Sequence, residues 1–465
     1  MSEDHRLELP KLRVQPEGLG FFRFGRLGER VVLTNDVGDY LLLSPREFEA
    51  FIAGERAEEA WTGFSRQGLD IDHIGHRLRQ RLEFLGQGPT RHTIVPNSSR
   101  VSSVLWPRVD GPAMKLTTAK GVVDFAFQSK SSNLLFRFAG PQPHFEMPTV
   151  RFAVAHAREK NRYEGKELFF ELESDLVGLN DDDGEWLAAN MHTIWVRLAG
   201  PRGIHDRLHQ AGSFDETERS MRNLNQRRSA DMRLILSLTV TRLALDSAAE
   251  LVDYCLAEGV DELQLKPLRS FGLASHVWSE LGCSPDQYGR FYKEVFDLLV
   301  ELDGDLCETA AVAAAQSILF GAQPIDLRSP AAPGIGELAY DPQGRILPSL
   351  QAVEVAQRGD ECLILGSIEK STFDEVIGHP TTKTILMSSL LDSLPSCSSC
   401  WNVPFCGVDP IENYMHTGDL FGQRPLTLKC KEQMSISHLL LGRMVDDPTG
   451  RLEMLLRRWV SHGHC

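Results

Sequence analysis

The chain has no run that approaches the ~18 consecutive apolar residues a membrane-spanning helix needs, so no membrane span is expected. It is also short of positive charge. Its 465 residues carry 49 lysines and arginines against 64 aspartates and glutamates, a net charge of −15. That balance excludes wholesale binding to nucleic acid or to an anionic lipid surface, each of which asks for a basic face. The opening MSEDHRLELPKLR contains no apolar segment of the secretory type, and a cytoplasmic location is expected. Internal repeats and low-complexity tracts are absent. What remains is a globular composition, 42% apolar and 24% charged, at a length that implies roughly two to four domains.

Hydrophobic periodicity divides the chain. Over residues 20–55, strand-like stretches in FFRFGRLGERVVLTNDVGDYLLLS are broken at Gly25, Gly28 and Gly38. Ser44 then precedes a helix with Pro45 at its first position, Phe48, Phe51 and Ile52 on one face, and Gly54 as a stop. Residues 73–86 read as a second amphipathic helix, so that 1–100 is expected to form a winged-helix-like module; the polar, turn-rich stretch 88–103 reads as a linker. From 110 to 330, the strand-like segments VVDFAF, ELFFEL, TIWVRL, LILSLTV and ELQLKPL alternate with helical ones such as FDETERSMRNLNQ and DSAAELVDYCLAEG, the latter running from an Asp246 cap to Gly259. The fold class is therefore α/β, a parallel sheet with crossover helices, open or closed into a barrel, binding ligands at its C-terminal strand ends. A hairpin around Asp341-Pro-Gln-Gly344 follows, and the chain turns helical from about residue 432, with 441–465 as a tail.

Nine cysteines are present, and Cys255, Cys283, Cys307, Cys362 and Cys465 are scattered singly. The other four are clustered: Cys397 and Cys400 with two residues between them, Cys406 after five more, and Cys430 beyond. Two cysteines in one tight turn, a third at short range and a fourth further on can surround one metal centre, either zinc or an iron–sulfur cluster. The segment is rich in Ser, Pro and Gly and has no core periodicity, which argues against a chance grouping of buried thiols.

The stretch LPSCSSCWNVPFCGVDP resembles the cysteine-rich part of a SPASM domain, the auxiliary-cluster module of radical S-adenosylmethionine (SAM) maturases. With CGVDPIENYMHTGDLFGQRPLTLKC as its ending, the chain is most similar to the His-Xaa-Ser system radical SAM maturases (HxsB-like), over about residues 20–440. The resemblance implies a partial TIM-type (β/α) radical SAM-like barrel over 110–330 and a SPASM-like domain over 337–440. It also implies one [4Fe–4S] cluster on Cys397, Cys400, Cys406 and Cys430, with zinc as the alternative. The family's other auxiliary cluster is lost: Ser349 follows the Gly344-Arg-Ile-Leu-Pro348 turn where a cysteine is expected, and Pro410 stands at another cysteine position. Asp409 beside it is a hard donor better suited to other metals. Cys362 reads as a leftover ligand or a core thiol.

The catalytic part of the family pattern is missing. The C-x3-C-x2-C triplet, whose three thiolates leave one iron open to SAM, occurs nowhere in the sequence. In register, Lys120, Asp124 and Phe127 fill its positions, and Leu172, Glu173, Ser174 and Asp175 stand where Gly-Gly-Glu-Pro belongs. Arg197-Leu-Ala-Gly200-Pro201 replaces Ser-Leu-Asp-Gly-Pro, with Ile204, His205 and Asp206 retained. The resemblance thus implies no SAM, no catalytic residue, and a non-catalytic subunit. Its expected partners are an active radical SAM enzyme of the same system, a precursor peptide, or both, with the N-terminal module either reading the peptide by strand addition or serving only to pack. Two other functions are open: carboxylate chemistry on a cluster of Lys120, Asp124, Glu171, Glu173 and Asp175, or electron transfer through the remaining cluster.

Overall fold

A computed structural model describes residues 21–53, 71–97, 111–271 and 274–462. The segment before residue 21, residues 98–103 of the expected linker 88–103, Gly54 and Cys465 lie outside the described residues. Among those described, no helix is long and apolar enough to cross a membrane.

Near the N-terminus, strands β1 (Arg23–Leu27), β2 (Arg30–Thr34) and β3 (Tyr40–Leu43) form an antiparallel sheet in that order. Ser44 caps the helix Pro45–Ile52 through a capping box with Glu47, and Phe51, Ile52, Leu33 and Leu43 make a small core of their own. Gly25 does not interrupt β1. A side chain there would run into the indole of Trp401, so the glycine serves close packing rather than a turn.

A ten-stranded sheet forms the body, in the order β10–β9–β8–β7–β6–β5–β4–β11–β12–β13. Its strands are β4 (Arg91–Ile94), β5 (Asn133–Phe138), β6 (Glu167–Ser174), β7 (Thr193–Leu198), β8 (Arg233–Val240), β9 (Glu262–Pro267), β10 (Cys307–Glu308), β11 (Glu337–Tyr340), β12 (Arg345–Leu347) and β13 (Gly366–Ser367). From β10 across to β11 every pairing is parallel, while β12 and β13 turn back antiparallel. The strand order does not close on itself, so the sheet is an open one. Crossover helices such as Met147–Glu164 and Ser213–Arg227 link the parallel strands, as short parallel connections cannot.

Three expectations change here. Residues 91–94, expected in a linker, form β4, a strand paired on both sides. VVDFAF is not a strand; it lies at the end of the helix Leu116–Ala126, which buries Ala119, Val122, Val123 and Ala126 at helical spacing. Ser247 rather than Asp246 is the residue before the helix Ala248–Ala257, and no side chain caps it. The segments expected as strands β6 to β9 are strands, and the Asp341–Gly344 hairpin joins β11 to β12.

Candidate functional site

Alternation along the parallel strands gives the large sheet two unlike faces. One is apolar and fully buried: Phe136 and Phe138 on β5, Phe170 and Leu172 on β6, Ile194 and Val196 on β7, Leu236 and Leu238 on β8, Leu263 and Leu265 on β9. The residues between them are charged or polar. In register across the strands, Arg137 sits beside Glu171, Glu173 beside Trp195, Arg197 beside Ser237, and Ser237 beside Gln264. A parallel sheet is usually apolar on both faces, so a polar face running toward the C-terminal strand ends marks a place built for polar chemistry.

The charges on that face are paired with one another. Arg137 Nη2 lies 2.5 Å from Glu173 Oε2, and Lys266 Nζ lies 3.3 Å from Glu173 Oε1. Trp195 Nε1 donates to Glu171 Oε2 at 3.2 Å, and the Arg137 guanidinium lies 5.0 Å over the Trp195 ring. Arg197 donates to the carbonyls of Gly140 and Pro141. Burial opposes ionisation of Glu173, but Lys266, Arg137 and Arg197 overcome it and hold the carboxyl well below the usual range. Glu173 therefore acts as a structural anion, with both of its oxygens engaged by neighbours.

The expected SAM-loop residues are elsewhere. Lys120 and Asp124 form an i, i+4 ion pair on the helix Leu116–Ala126, and Asp124 also meets His156 and Lys160 on the following helix. Phe127 ends that helix, under the ammonium of Lys160. None of the three lines the polar face, because the segment is a helix and not a strand with its following loop. The same correction moves the next position. Since β4 is the first parallel strand and β5 the second, the turn after the second strand is Ala139–Pro143, not Leu172–Asp175. Gly140 there has φ +116°, and Gln142 donates to Asp175 at 3.2 Å. Of the expected carboxylate cluster, only Glu171 and Glu173 share the face. At the end of β7, Gly200 has φ +137° and Pro201 opens the helix Arg202–Leu208, as expected. His205 is buried there and accepts from the Ala199 amide at 3.2 Å.

The four-cysteine segment is built from successive turns. The Cys400 amide donates to the Cys397 carbonyl at 2.8 Å, and the Cys406 amide donates to the Val403 carbonyl at 3.3 Å. Cys430 lies in the first turn of the helix Leu428–Val445, its amide held by the Thr427 cap at 3.2 Å. Cys397, Cys400 and Cys406 pack together against Leu391, Leu394, Val403 and Val408. Burial pushes the Cys397 thiol up to about 11, with Cys430 and Cys400 adding to it. Burial and the other three thiols push Cys406 higher still. The four are thus in one electrostatic neighbourhood and are held as neutral thiols. They are not drawn into a ligand shell: among the described residues, no three His, Cys, Asp or Glu side chains surround a common metal position. The donor chemistry nonetheless fits a thiolate-bound centre, because the same corner holds a buried cation, Arg424, whose Nε and Nη2 have no hydrogen-bond partner among the described residues. Ser349 and Asp409 have other duties, each capping a helix. Cys362 is not a core thiol; it is exposed and donates to Tyr414 Oη at 3.0 Å.

Sequence reasoning missed Arg137, Lys266 and Arg424, and named Arg197 only as a departure from the family's Ser-Leu-Asp-Gly-Pro. For the three strand residues a signal was present, since LLFRF, TIWVRL and ELQLKP all put a charge between apolar residues that face the other way. Arg424 gave none.

Below this face, Arg91 and Glu337 lie side by side on β4 and β11, 3.8 Å apart. Burial raises the Glu337 carboxyl to about 7, against Arg91 and with help from Asp326 and Asp409. A folded-state value above the unfolded one means that the native state holds the proton more tightly. Its stabilising contribution is therefore complete below about pH 4.5 and is lost as pH rises through about 7, amounting to ~3 kcal/mol at most. Urea unfolding at pH 5 and pH 8 is expected to show this loss in the parent protein and to show much less of it in Glu337→Gln. Equal slopes for the two proteins would remove Glu337 as the cause.

No protein-family model matches the sequence, and no curated protein does. Solved structures do match. Native anSMEcpe with bound AdoMet and the Cp18Cys peptide superposes with a TM-score of 0.63 at 16% identity, over 77% of this chain and 98% of that one. SuiB from Streptococcus suis bound to the precursor peptide SuiA gives 0.54 at 12% identity, over 88% and 98%. SuiB bound to S-adenosylmethionine gives 0.55 at 13%, over the same shares. At such identities the likeness is one of fold.

Proposed function

We propose that this chain is a non-catalytic subunit of radical SAM fold that serves peptide modification by binding a precursor peptide, an active radical SAM partner enzyme, or both. The observation that carries the reading is a mismatch. The fold is that of proteins solved with AdoMet bound, yet the sequence has no C-x3-C-x2-C triplet to hold the cluster that SAM needs. The ionic face supports it further. Glu173 is engaged by Arg137 and Lys266, and Glu171 by Trp195, so neither carboxylate is free for acid–base work. That weighs against the carboxylate-enzyme alternative.

In this reading 1–100, apart from β4, is the peptide-facing or packing module, 110–330 the barrel-like body, which β4 and β11 to β13 extend, 337–440 the SPASM-like domain beyond those strands and 441–465 the helical tail. Cys397, Cys400, Cys406 and Cys430 would hold the one metal centre, a [4Fe–4S] cluster or zinc. Such a centre would cross-link the segment and, if iron–sulfur, store one electron. SuiB solved with its precursor peptide offers the analogy for a peptide partner.

Anaerobic incubation with SAM and a strong reductant is expected to yield no 5′-deoxyadenosine above a no-protein control. Co-expression with candidate radical SAM maturases and precursor peptides is expected to give a complex on size-exclusion chromatography. Reductive SAM cleavage, or a protein that stays monomeric with every such candidate, would overturn the proposal.

A further inference from the structure

We infer that Arg424 is a positioning residue for the four-cysteine centre, its guanidinium donating hydrogen bonds to the thiolates and offsetting their charge. The inference rests on the reading of Cys397, Cys400, Cys406 and Cys430 as metal ligands.

An arginine is charged at every accessible pH, and an unpaired charge in the interior costs several kcal/mol. Arg424 is only 4% exposed. Its main chain is fixed, with the carbonyl accepting from Thr427 N at 3.0 Å and from Thr427 Oγ1 at 2.9 Å. That ties it to the cap of the helix that carries Cys430. Its side chain, by contrast, leaves Nε and Nη2 unpartnered among the described residues.

Of the nearby anions, Asp409 accepts the amides of Ile411 and Glu412 on its Oδ1, at 2.9 and 3.0 Å, and Glu412 pairs with Arg269 at 2.8 Å; Arg424 Nε and Nη2 bond to neither. Arg424 stands six residues before Cys430, in the turn that enters that cysteine's helix, and its charge acts on Cys397, Cys406 and Cys430 as well as on Asp409. A second side chain of the segment repeats the pattern. Asn402, between Cys400 and Cys406 and 1% exposed, has neither amide atom paired. Neutral thiols cannot satisfy a guanidinium. Four thiolates around a dication or an iron–sulfur core keep a net negative charge, and that is the partner a buried cation with open donors requires.

The test uses the full chain and its Arg424→Met and Arg424→Lys variants, purified anaerobically and reconstituted with iron and sulfide, or with zinc. Metal content, visible absorption, retention against a chelator and, for an iron–sulfur centre, the midpoint potential are read. Arg424→Met is expected to hold metal about 10–100-fold less tightly. Its potential is expected to fall by ~60 mV, the equivalent of a tenfold weaker hold on the electron. Arg424→Lys should recover part of the potential, through charge, but less of the retention. A role in packing alone is separated by repeating Arg424→Met in a Cys406→Ala background. There the cation has lost its counter-charge, and removing it is expected to raise stability. Wild-type protein that loads metal while Arg424→Met matches it in retention and potential would overturn this inference alone. Wild-type protein that takes up neither iron nor zinc would sink the ligand assignment, and this inference with it.

Discussion

Replacing Cys406 with alanine is expected to abolish stoichiometric metal binding and to loosen both the segment 395–430 and the N-terminal sheet that rests on it. Cys406 is the choice because its thiol is the most perturbed of the four and is coupled to the other three. Losing one of four thiolates leaves an open, weak site, and metal binding in such segments is folding free energy, ~10–16 kcal/mol for structural zinc. The effect should travel. Between Cys400 and Cys406 the chain supplies Trp401, whose carbonyl accepts from Thr34 at 2.6 Å, and Phe405, which meets Tyr40 edge-on at 6.2 Å. Arg23 adds a bond to the Ser398 carbonyl at 2.8 Å and an ion pair to Asp392 at 2.6 Å. Elemental analysis of the anaerobic protein checks the first part. Hydrogen exchange over 395–430 and 23–34 checks the second. A full metal complement in Cys406→Ala would show that the ligands are misassigned.

The second large effect is expected on the polar face. Glu173→Leu leaves Arg137, a side chain only 13% exposed, without its closest anion. Removing one partner of a buried pair costs about 3–5 kcal/mol, whereas replacing both by well-packed apolar groups is often neutral or stabilising. Lys266 is 43% exposed and can turn to water, so it adds less. The double variant Glu173→Leu, Arg137→Met should therefore regain most of the loss, giving a strongly non-additive cycle in urea unfolding. Additive losses would mean that Glu173 and Arg137 are not a structural pair. They would return weight to a chemical role for Glu173.

Much of this was legible in the sequence, and the failures have physical causes. Strands β6 to β9 declared themselves because each is long and alternates. β4 did not, because it has four residues, and it is a strand only through β5 and β11 on either side. The run VVDFAF looked like a strand from its β-branched and aromatic residues. The buried set Ala119, Val122, Val123 and Ala126 has the spacing of a helix, which a wider window would have caught. With β4 and β5 both missed and VVDFAF counted in their place, the register moved by one element, so that β6 was taken for the second parallel strand. The cysteines were visible as a set from their spacing. The buried cation six residues before Cys430 was not, since nothing local to Arg424 announces that a residue before a helix cap will be buried with its guanidinium unpaired among the described residues.

The docking of the N-terminal sheet has a consequence for synthesis. Thr34 and the Trp401 carbonyl that it meets are 367 residues apart in sequence. At translation rates of 5–20 residues per second, Thr34 leaves the ribosome roughly 20–70 s before its partner is made. The first sheet to emerge is thus the last to be seated. Until then it carries an edge strand with a bare Gly25 where the indole will lie. Nascent chains halted before residue 400 should expose this sheet to proteases and chaperones in a way that the finished protein does not.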